Sequence, residues 1–333
     1  MTAVSWKFNK IVLVFQFSRK QAVFPKKTPT KGGLIGLKSR NTRVVRRIFG
    51  EPLSRKQPMR PSRVKAKLTR GEPVLITCCH FIDPSVYELV SLLGFDGIWL
   101  DLEHHSTSDE TASNLMRAAR VGASDIIARP AKGEFMRMGR LLEAGAQGIM
   151  YPRCESAEEA AELVRWAKFA PQGERGVDGA NGDNPYCAIP MVPYLKAANE
   201  HTLLIAQLES PNALDHAAAI AAVPGVDVLM LGPGDLSVVA GIPYQFDHPI
   251  IIDAYRRVAE AAKNAGKWWG TVSGSPEHTQ KLFDLGAKFI CHGADLIMVK
   301  QGMEQIQQRY APLGFTFDNR LASEAARLME NQS

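Results

Sequence analysis

LLGFDGIWLD, residues 92–101, indicates the fold class of this chain. It joins the apolar end of a helical segment, a glycine, and a short apolar run that closes on an acidic residue. A glycine just past a helix supplies the left-handed residue that ends it. The run after it does not alternate between apolar and polar residues, which is typical of a parallel strand buried on both faces. The stretch therefore predicts one helix–turn–strand unit of an α/β protein.

The same phrase recurs along the chain. Its other instances are RVGASDIIARP (120–130), EAGAQGIMYP (143–152), VPGVDVLMLGPGD (223–235) and DLGAKFICHGAD (284–295). Three more apolar runs bring the strands to eight: VLITCC (74–79), LLIAQLES (203–210) and WWGTVSG (268–274). Amphipathic helices are predicted between them near 109–121, 157–168, 248–264 and 276–285. Eight such units over about 250 residues predict a (β/α)₈ TIM barrel. The alternative is a doubly wound open sheet, which usually carries a glycine-rich fingerprint after its first strand; CCHFIDPS stands there instead.

Composition excludes several protein classes. The chain has 333 residues, 45% of them hydrophobic, so it can bury a large core. Its apolar runs stop at about five to seven residues, far short of a membrane span. Five cysteines are odd in number and lack metal-type spacing. They indicate reduced thiols rather than a disulfide framework.

Charge divides the chain into a basic leader and an acidic body. Residues 1–58 hold 14 Lys and Arg against one acid, Glu51, whereas the rest holds 26 basic and 33 acidic residues. The leader has three interpretations: an organellar transit peptide, an arm for nucleic acid or an anionic surface, or extra sequence upstream of a start at Met59. It lacks the aromatic–basic interleaving of nucleic-acid binders. We predict a barrel domain over 59–315 and a C-terminal tail over 316–333.

Charged side chains stand at the predicted strand ends, where TIM barrels place their catalytic groups. GIWLDLEHH (97–105) ends strand two with two carboxylates and two imidazoles. We expect the charged groups of the other strand ends to converge on the same face: Arg129, Gln207, Glu209, Asp235, His292 and Asp295. Each also has a purely structural interpretation, such as a helix cap at Asp101 or an ion pair at Arg129.

These residue types favour metal-assisted chemistry. Glu209 and Asp235, on adjacent strands, suit a hard divalent cation such as Mg²⁺ or Mn²⁺. Such a cation can chelate a 2-keto acid and polarise its carbonyl, and Arg129 can hydrogen-bond the same oxygen as charge develops. His104, oriented by a carboxylate, is the candidate base. Lysine is poorly placed at these strand ends, which argues against a Schiff-base mechanism.

The chain resembles the HpcH/HpaI family of metal- and pyruvate-dependent class II aldolases from about residue 59 to 310. The resemblance is carried by GFDGIWLDLEHHSTS, ARP at 128–130, LLEAGAQGIMYPRCESAEEA, PQGERGV, QLESPNALDHAAAIAAVPGVDVLMLGPGDLS and LGAKFICHGAD. It implies a TIM barrel that uses Mg²⁺, Mn²⁺ or Co²⁺. It also implies a cytoplasmic homohexamer, a trimer of dimers that exchange their last barrel helix. The implied reaction is reversible cleavage of a 4-hydroxy-2-keto acid to pyruvate and an aldehyde through a metal-bound pyruvate enolate, as in the catabolism of aromatic compounds or sugar acids.

The resemblance also implies catalytic residues. His104 matches the family's base, Asp101 its supporting carboxylate, and Arg129 the arginine that holds the keto oxygen. Glu143 stands where many members have an aspartate that reaches a neighbouring subunit's histidine.

The same matching implies the metal and substrate ligands. Glu209 and Asp235 match the two metal carboxylates, with Gln207 beside the metal. The backbone N–H groups around Gly234 match the turn that receives the substrate carboxylate.

Three segments depart from the family pattern and leave the aldehyde open. DGANGDNPYC (178–187) replaces a small-residue and Ala-Arg-Ala stretch, WWGTVSG replaces a run of small residues, and His292 replaces an apolar residue. Two other functions therefore stay open: a citrate-lyase-like enzyme acting on an acyl-CoA, and a non-catalytic barrel that binds anionic ligands or nucleic acid. If the leader is a transit peptide, the location is an organelle matrix such as the mitochondrial one.

Overall fold

A closed parallel barrel of eight strands forms the molecule, with strand order following sequence order and β1 pairing with β8. The structure is a computed structural model that describes residues 59–324. The predicted leader and the last nine residues of the predicted tail lie outside the described residues. The strands are β1 Val74–Cys79, β2 Gly97–Asp101, β3 Asp125–Arg129, β4 Gly148–Tyr151, β5 Leu203–Leu208, β6 Val228–Leu231, β7 Trp268–Val272 and β8 Phe289–Ala294. The TIM-barrel prediction is confirmed.

Helices follow every strand and surround the barrel. They are α1 Arg63–Thr69, α2 Pro84–Leu93, α3 Asp109–Ala119, α4 Phe135–Ala144, α5 Ala157–Ala167, α6 Met191–His201, α7 Pro211–Asp215, α8 Ala217–Ala222, α9 Pro233–Val239, α10 Pro249–Asn264, α11 Pro276–Asp284 and α12 Asp295–Tyr310. The four helices expected from the sequence agree to within two residues at each end. None of the helices within residues 59–324 combines the length and the apolar character that crossing a bilayer requires.

Two apolar layers hold the barrel, one inside the strands and one between strands and helices. Every residue of β2 is buried. Within it Trp99 belongs to the interior cluster, whereas Ile98 and Leu100 pack against the helices. This explains the unbroken apolar runs of the sequence: alternate side chains enter different layers, and both layers exclude water.

Helix α1 closes the N-terminal end of the barrel. Its Val64 and Leu68 join the interior cluster. The fully buried Asp125 carboxylate fixes the start of the helix, because it accepts hydrogen bonds from the Ser62 hydroxyl at 2.7 Å and the Val64 N–H at 2.8 Å. A buried carboxylate of this kind is stable only with such donors.

The glycines of the repeated sequence pattern have two different structural roles. Gly94 and Gly286 follow α2 and α11 with φ of 87° and 86°, the left-handed conformation expected of a helix-ending glycine. Gly122 does not have a positive φ. A Cβ there would overlap the backbone of Ser91 in α2, so Gly122 serves the close approach of two segments instead.

Helix α12, which follows the last strand, leaves much of its apolar surface exposed. Leu296, Met303 and Ile306 are about half exposed, and Leu75 on the outer face of β1 is 42% exposed. Contiguous apolar surface of this kind typically marks an interaction site. The exchange of this helix between subunits stays a prediction.

Candidate active site

Strand alternation sends the predicted side chains into the mouth of the barrel. Trp99, Ile127 and Ile205 point inside, so the residues two positions later, Asp101, Arg129 and Gln207, point inside as well. All three are buried at the C-terminal end of their strands. The period of two therefore brings together groups that are more than 100 residues apart in the chain.

Asp101 and Arg129 form a two-pronged ion pair. They are direct partners in the β2–β3 ladder. Arg129 donates from Nε to Asp101 Oδ1 at 3.0 Å and from Nη2 to Asp101 Oδ2 at 2.7 Å. Burial disfavours the charged carboxylate, but the hydrogen bonds and charge of Arg129 outweigh it and hold the pKa of Asp101 below its ordinary value. The guanidinium also lies 4.5 Å over the Trp99 ring, a cation–π contact that fixes its plane.

Gln207 connects this pair to Glu209. Its Oε1 accepts a hydrogen bond from Arg129 Nη1 at 3.4 Å, and its Nε2 donates to Glu209 Oε1 at 2.8 Å. The two partners fix which end of the amide faces which neighbour, since one can only donate and the other accepts. The result is one continuous polar chain along the ends of β2, β3 and β5.

Glu209 is a buried carboxylate in an unfavourable environment. It is 3% exposed, with one oxygen bound by Gln207 and the other by the backbone N–H of Arg153 at 2.9 Å. Burial, with a further contribution from the negative charge of Asp235, raises its pKa to about 7. A Cβ at Gly232 would overlap this carboxylate, so only glycine leaves it room.

The donor set fits a hard divalent cation. Asp235 lies exposed in the first turn of α9, and its charge reaches Glu209. A cation relieves the repulsion between two such carboxylates. Within residues 59–324 no cluster of three or more His, Cys, Asp or Glu could hold a metal. Both Glu209 and Asp235 offer only oxygen, which is the donor that hard divalent cations prefer. Next to them, nothing lies within 4 Å of a Cβ built on Gly234, so its backbone faces open space.

The two histidines of the β2 loop take different environments. His104 has a 57% exposed side chain, and its Nε2 lies 3.8 Å from Glu103 Oε2. His105 Nε2 lies 3.9 Å from Asp101 Oδ2, and its ring lies 4.6 Å from that of His80. The structure thus places His105, rather than His104, against the Asp101 carboxylate. The assignment of the base to His104 rests on the resemblance and stays a prediction.

Some predicted residues lie outside this cluster. Glu143 is the next-to-last residue of α4. It therefore lies at the opposite end of the barrel from the C-terminal ends of the strands. There burial raises its pKa, and its charged neighbours include Arg175. Within the chain it is not part of the site, and a role toward a neighbouring subunit stays a prediction.

The expectation that His292 converges on the site is wrong. His292 lies within β8, next to the inward-facing Cys291, so its own side chain points outward. Its Nδ1 lies 2.7 Å from the Ser273 carbonyl oxygen. Asp295 instead ties the loop after β1 to α12, because its carboxylate accepts the N–H groups of His80 at 2.7 Å and Phe81 at 3.0 Å.

The structure adds two residues to this cluster: Glu103, noted in the sequence as a carboxylate at the end of strand two but given no role, and Arg153, which was not singled out. Glu103 is 4% exposed and lies between two arginines: its Oε2 is 3.4 Å from Arg129 Nε and its Oε1 is 2.7 Å from Arg153 Nη2. Both stand at strand ends, after β2 and after β4. Position at a strand end was therefore the only sequence signal for these two residues, and no charged group had been assigned to the end of β4.

Comparisons with known proteins agree with the barrel fold and show the family of this chain. Residues 81–301 match a family model described as HpcH/HpaI aldolase/citrate lyase. The chain is 34% identical over 238 residues to a hydroxypyruvate/pyruvate aldolase of Delftia acidovorans, which covers 71% of this chain and 88% of the relative. It is 28% identical over 250 residues to a 5-keto-4-deoxy-D-glucarate aldolase of Klebsiella pneumoniae, covering 75% and 97%. A solved HpcH/HpaI aldolase from Desulfitobacterium hafniense superposes with a TM-score of 0.70 at 27% identity, covering 74% of this chain and 96% of that one.

Proposed function

The chain belongs to the HpcH/HpaI aldolase/citrate lyase family, and we propose that it is a divalent-metal-dependent aldolase. In this proposal it reversibly cleaves a 4-hydroxy-2-keto acid to pyruvate and an aldehyde. Relatives named as aldolases support an aldehyde-lyase activity. The observation that carries the proposal is the polar chain from Asp101 through Arg129 and Gln207 to the buried Glu209.

Glu209 and Asp235 are the residues that would hold the metal. A bound cation would polarise the substrate's keto oxygen and stabilise the negative charge that develops there. Mg²⁺ suits this pair best because both side chains offer only oxygen, and Mn²⁺ or Co²⁺ are alternatives. Gln207 keeps one Glu209 oxygen oriented by donating a hydrogen bond to it. The open backbone around Gly234 offers N–H groups to the substrate carboxylate.

Arg129 is held ready to stabilise charge on the keto oxygen. Its Nε and Nη2 are held by Asp101, and Trp99 lies against its face. Its remaining edge, Nη1, faces Gln207 and so lies toward Glu209. A donor fixed in this way needs no rearrangement as charge develops, which is the condition for strong electrostatic stabilisation.

His104 is the proposed base in the cleavage direction. It would take the proton from the 4-hydroxyl group, so that the bond between carbon 3 and carbon 4 breaks and its electron pair moves toward the keto oxygen. Carbon 3 then takes up a proton to give pyruvate. A half-exposed imidazole at the mouth suits this exchange of protons with substrate and solvent. Asp101 and Arg129 support the same corner of the site.

We further propose that the protein works as a homohexamer, a trimer of dimers that exchange helix α12. The half-exposed apolar residues of α12 and the exposed Leu75 on β1 support an exchange of this kind. We place the enzyme in the cytoplasm, or in an organelle matrix if the leader directs import. Its pathway would be the breakdown of aromatic compounds or sugar acids.

A retro-aldol screen tests the proposed function. Hydroxy-keto acids that differ in their aldehyde half are incubated with the full-length protein, with Mg²⁺ present or chelated, and released pyruvate is measured. Release from at least one substrate only with metal present supports the proposal. Release that is unaffected by chelation, or none from any substrate, would overturn it.

A further inference from the structure

Both backbone polar groups of Arg153, its N–H and its carbonyl oxygen, are held by hydrogen bonds. Its N–H donates to Glu209 Oε2 at 2.9 Å, and its carbonyl oxygen accepts a hydrogen bond from Lys132 Nζ at 2.8 Å. It follows β4, between the strands that carry Arg129 and Glu209. The position of its side chain is therefore set by the same contacts that order the proposed metal ligand.

The backbone at Arg153 adopts a conformation that favours glycine. Its φ is 46°, in the left-handed region. A side chain there is strained by contact with the backbone, a cost that glycine would not incur. Residues held in such conformations cluster at ligand-binding and active sites. An arginine in this place therefore indicates that its side chain contributes something that offsets the strain.

The ion pair with Glu103 accounts for only part of what the Arg153 side chain contributes. Arg153 Nη2 lies 2.7 Å from Glu103 Oε1, but this oxygen accepts no hydrogen bond among the described residues. The other oxygen of Glu103 is already 3.4 Å from Arg129. Arg153 is 51% exposed, whereas Glu103 is 4% and Arg129 7% exposed. A guanidinium has five N–H donors, and the half-exposed side chain of Arg153 leaves some of them accessible from solvent.

We propose that Arg153 binds a carboxylate at the aldehyde end of the substrate. This inference rests on the proposed function. A substrate whose keto-acid end lies at Glu209 and Asp235 must extend toward solvent, and Arg153 is the solvent-exposed member of the group formed with Glu103 and Arg129. A guanidinium fork matches a carboxylate with two parallel hydrogen bonds. The site therefore selects a 4-hydroxy-2-keto acid with a second, terminal carboxylate.

Charge favours a carboxylate over a phosphate. The neighbouring cations are engaged elsewhere: Arg129 is held by Asp101, and the Lys132 ammonium group binds the Arg153 carbonyl oxygen and lies 3.0 Å from Glu159 Oε1. One available guanidinium balances a single negative charge. A phosphate monoester carries nearly two at neutral pH and would need a second free cation.

The test compares two substrates of equal length, one ending in a carboxylate and the other in the neutral carboxamide. The ratio of their kcat/KM values is measured for the unaltered protein, Arg153→Asn, Arg153→Lys and Arg165→Asn. Asparagine tolerates the left-handed conformation better than most residues, so Arg153→Asn removes the charge with little backbone cost. Arg165 is a control because it is a similarly exposed arginine at the far end of α5, paired with Glu162 and Glu174.

A preference for the carboxylate in the unaltered protein is expected. Arg153→Asn should reduce it about tenfold to a hundredfold, the range for a hydrogen-bonded charged group. Arg153→Lys should keep part of the preference and Arg165→Asn all of it. An unchanged ratio in Arg153→Asn, or a stronger preference for a phosphorylated substrate, would overturn the inference while leaving the aldolase proposal standing. No cleavage of any substrate by the unaltered protein would overturn both.

Discussion

Arg129 and Asp101 face each other across the β2–β3 ladder and are joined again by two side-chain hydrogen bonds of 3.0 and 2.7 Å. The backbone ladder determines which residues face each other, and the two side-chain hydrogen bonds determine the orientation of the guanidinium group. Its free edge then faces Gln207 and Glu209. This double connection explains why two residues far apart in the sequence form one rigid corner of the proposed site.

Arg129→Lys tests whether the site needs only the positive charge of Arg129 or also the shape of its guanidinium group. Lysine keeps the positive charge but lacks the fork that grips Asp101 and reaches Gln207. We expect kcat to fall about a hundredfold, the typical cost of removing a positioned donor to developing charge. Steady-state cleavage rates measure it. Arg137→Lys, which alters a partly buried arginine paired with Asp109 and Glu134, is the control and should lose little. A lysine variant at position 129 with full kcat would show that the fork is not needed.

Substitutions at the neighbouring histidines should differ in effect. His104→Ala is expected to lower turnover about 10²–10⁴-fold, the usual contribution of a positioned base, with metal affinity kept. His105→Ala should lose much less. Turnover and metal titration of both variants decide between them. A reversed order would assign the base to His105, whose contact with Asp101 at 3.9 Å already offers the orienting carboxylate.

Lys168 should contribute stability that rises with pH above neutrality. Burial lowers the pKa of this lysine to about 7 in the folded chain, whereas an unfolded lysine titrates near 10.4. Between these values the unfolded state binds more protons at this group, so its contribution to the free energy of unfolding increases with pH. Buried thiols such as Cys78, whose pKa is raised by burial to about 12, act in the opposite direction. Urea unfolding at pH 7 and at pH 9.5 should therefore show that the unaltered protein gains stability relative to Lys168→Met. An equal change in both proteins would contradict the prediction.

Two truncations test the boundary at Met59. A chain starting at Met59 should keep its melting temperature and aldolase activity, because the contacts that begin at this residue remain. A chain starting at Val64 loses Arg60, whose Nη2 binds the Ser124 carbonyl oxygen at 2.7 Å, and Ser62, which binds Asp125. Its melting temperature should fall, since the buried Asp125 then lacks a donor. Thermal unfolding followed by circular dichroism measures both. A large fall in the first chain would show that the leader contributes to the barrel or its assembly.

The sequence predicts the fold and half of the site, for one physical reason. Strand period and helix-ending glycines are local, and a parallel barrel converts them directly into the meeting of Asp101, Arg129 and Gln207. The contact between Glu103 and Arg153 depends on a loop and a left-handed residue that periodicity does not encode. Periodicity likewise does not encode the register between neighbouring strands.

His292 was misplaced because residues of β8 alternate between the inside and outside of the barrel. The pairing of β1 with β8 also shifts register between Ile76 and Cys78, so a side chain there cannot be assigned to a face by counting from the strand end. The role of Glu143 depends on a neighbouring subunit, and no pattern within one chain reports on that.

We expect Glu209 to make the site competent to remove a proton from pyruvate with a divalent metal. Exchange of pyruvate methyl protons with solvent deuterium, followed by proton NMR with Mg²⁺ present, tests it most directly. Glu209→Gln should lose this exchange while keeping its circular dichroism spectrum and melting transition. Glu155→Gln is the matched control, because its carboxylate lies near the same strand end but binds Ser210 at 2.7 Å and Asn212 at 2.9 Å. We expect Glu155→Gln to exchange pyruvate protons at the unaltered rate. Undiminished exchange in Glu209→Gln at the same Mg²⁺ concentration would contradict the account.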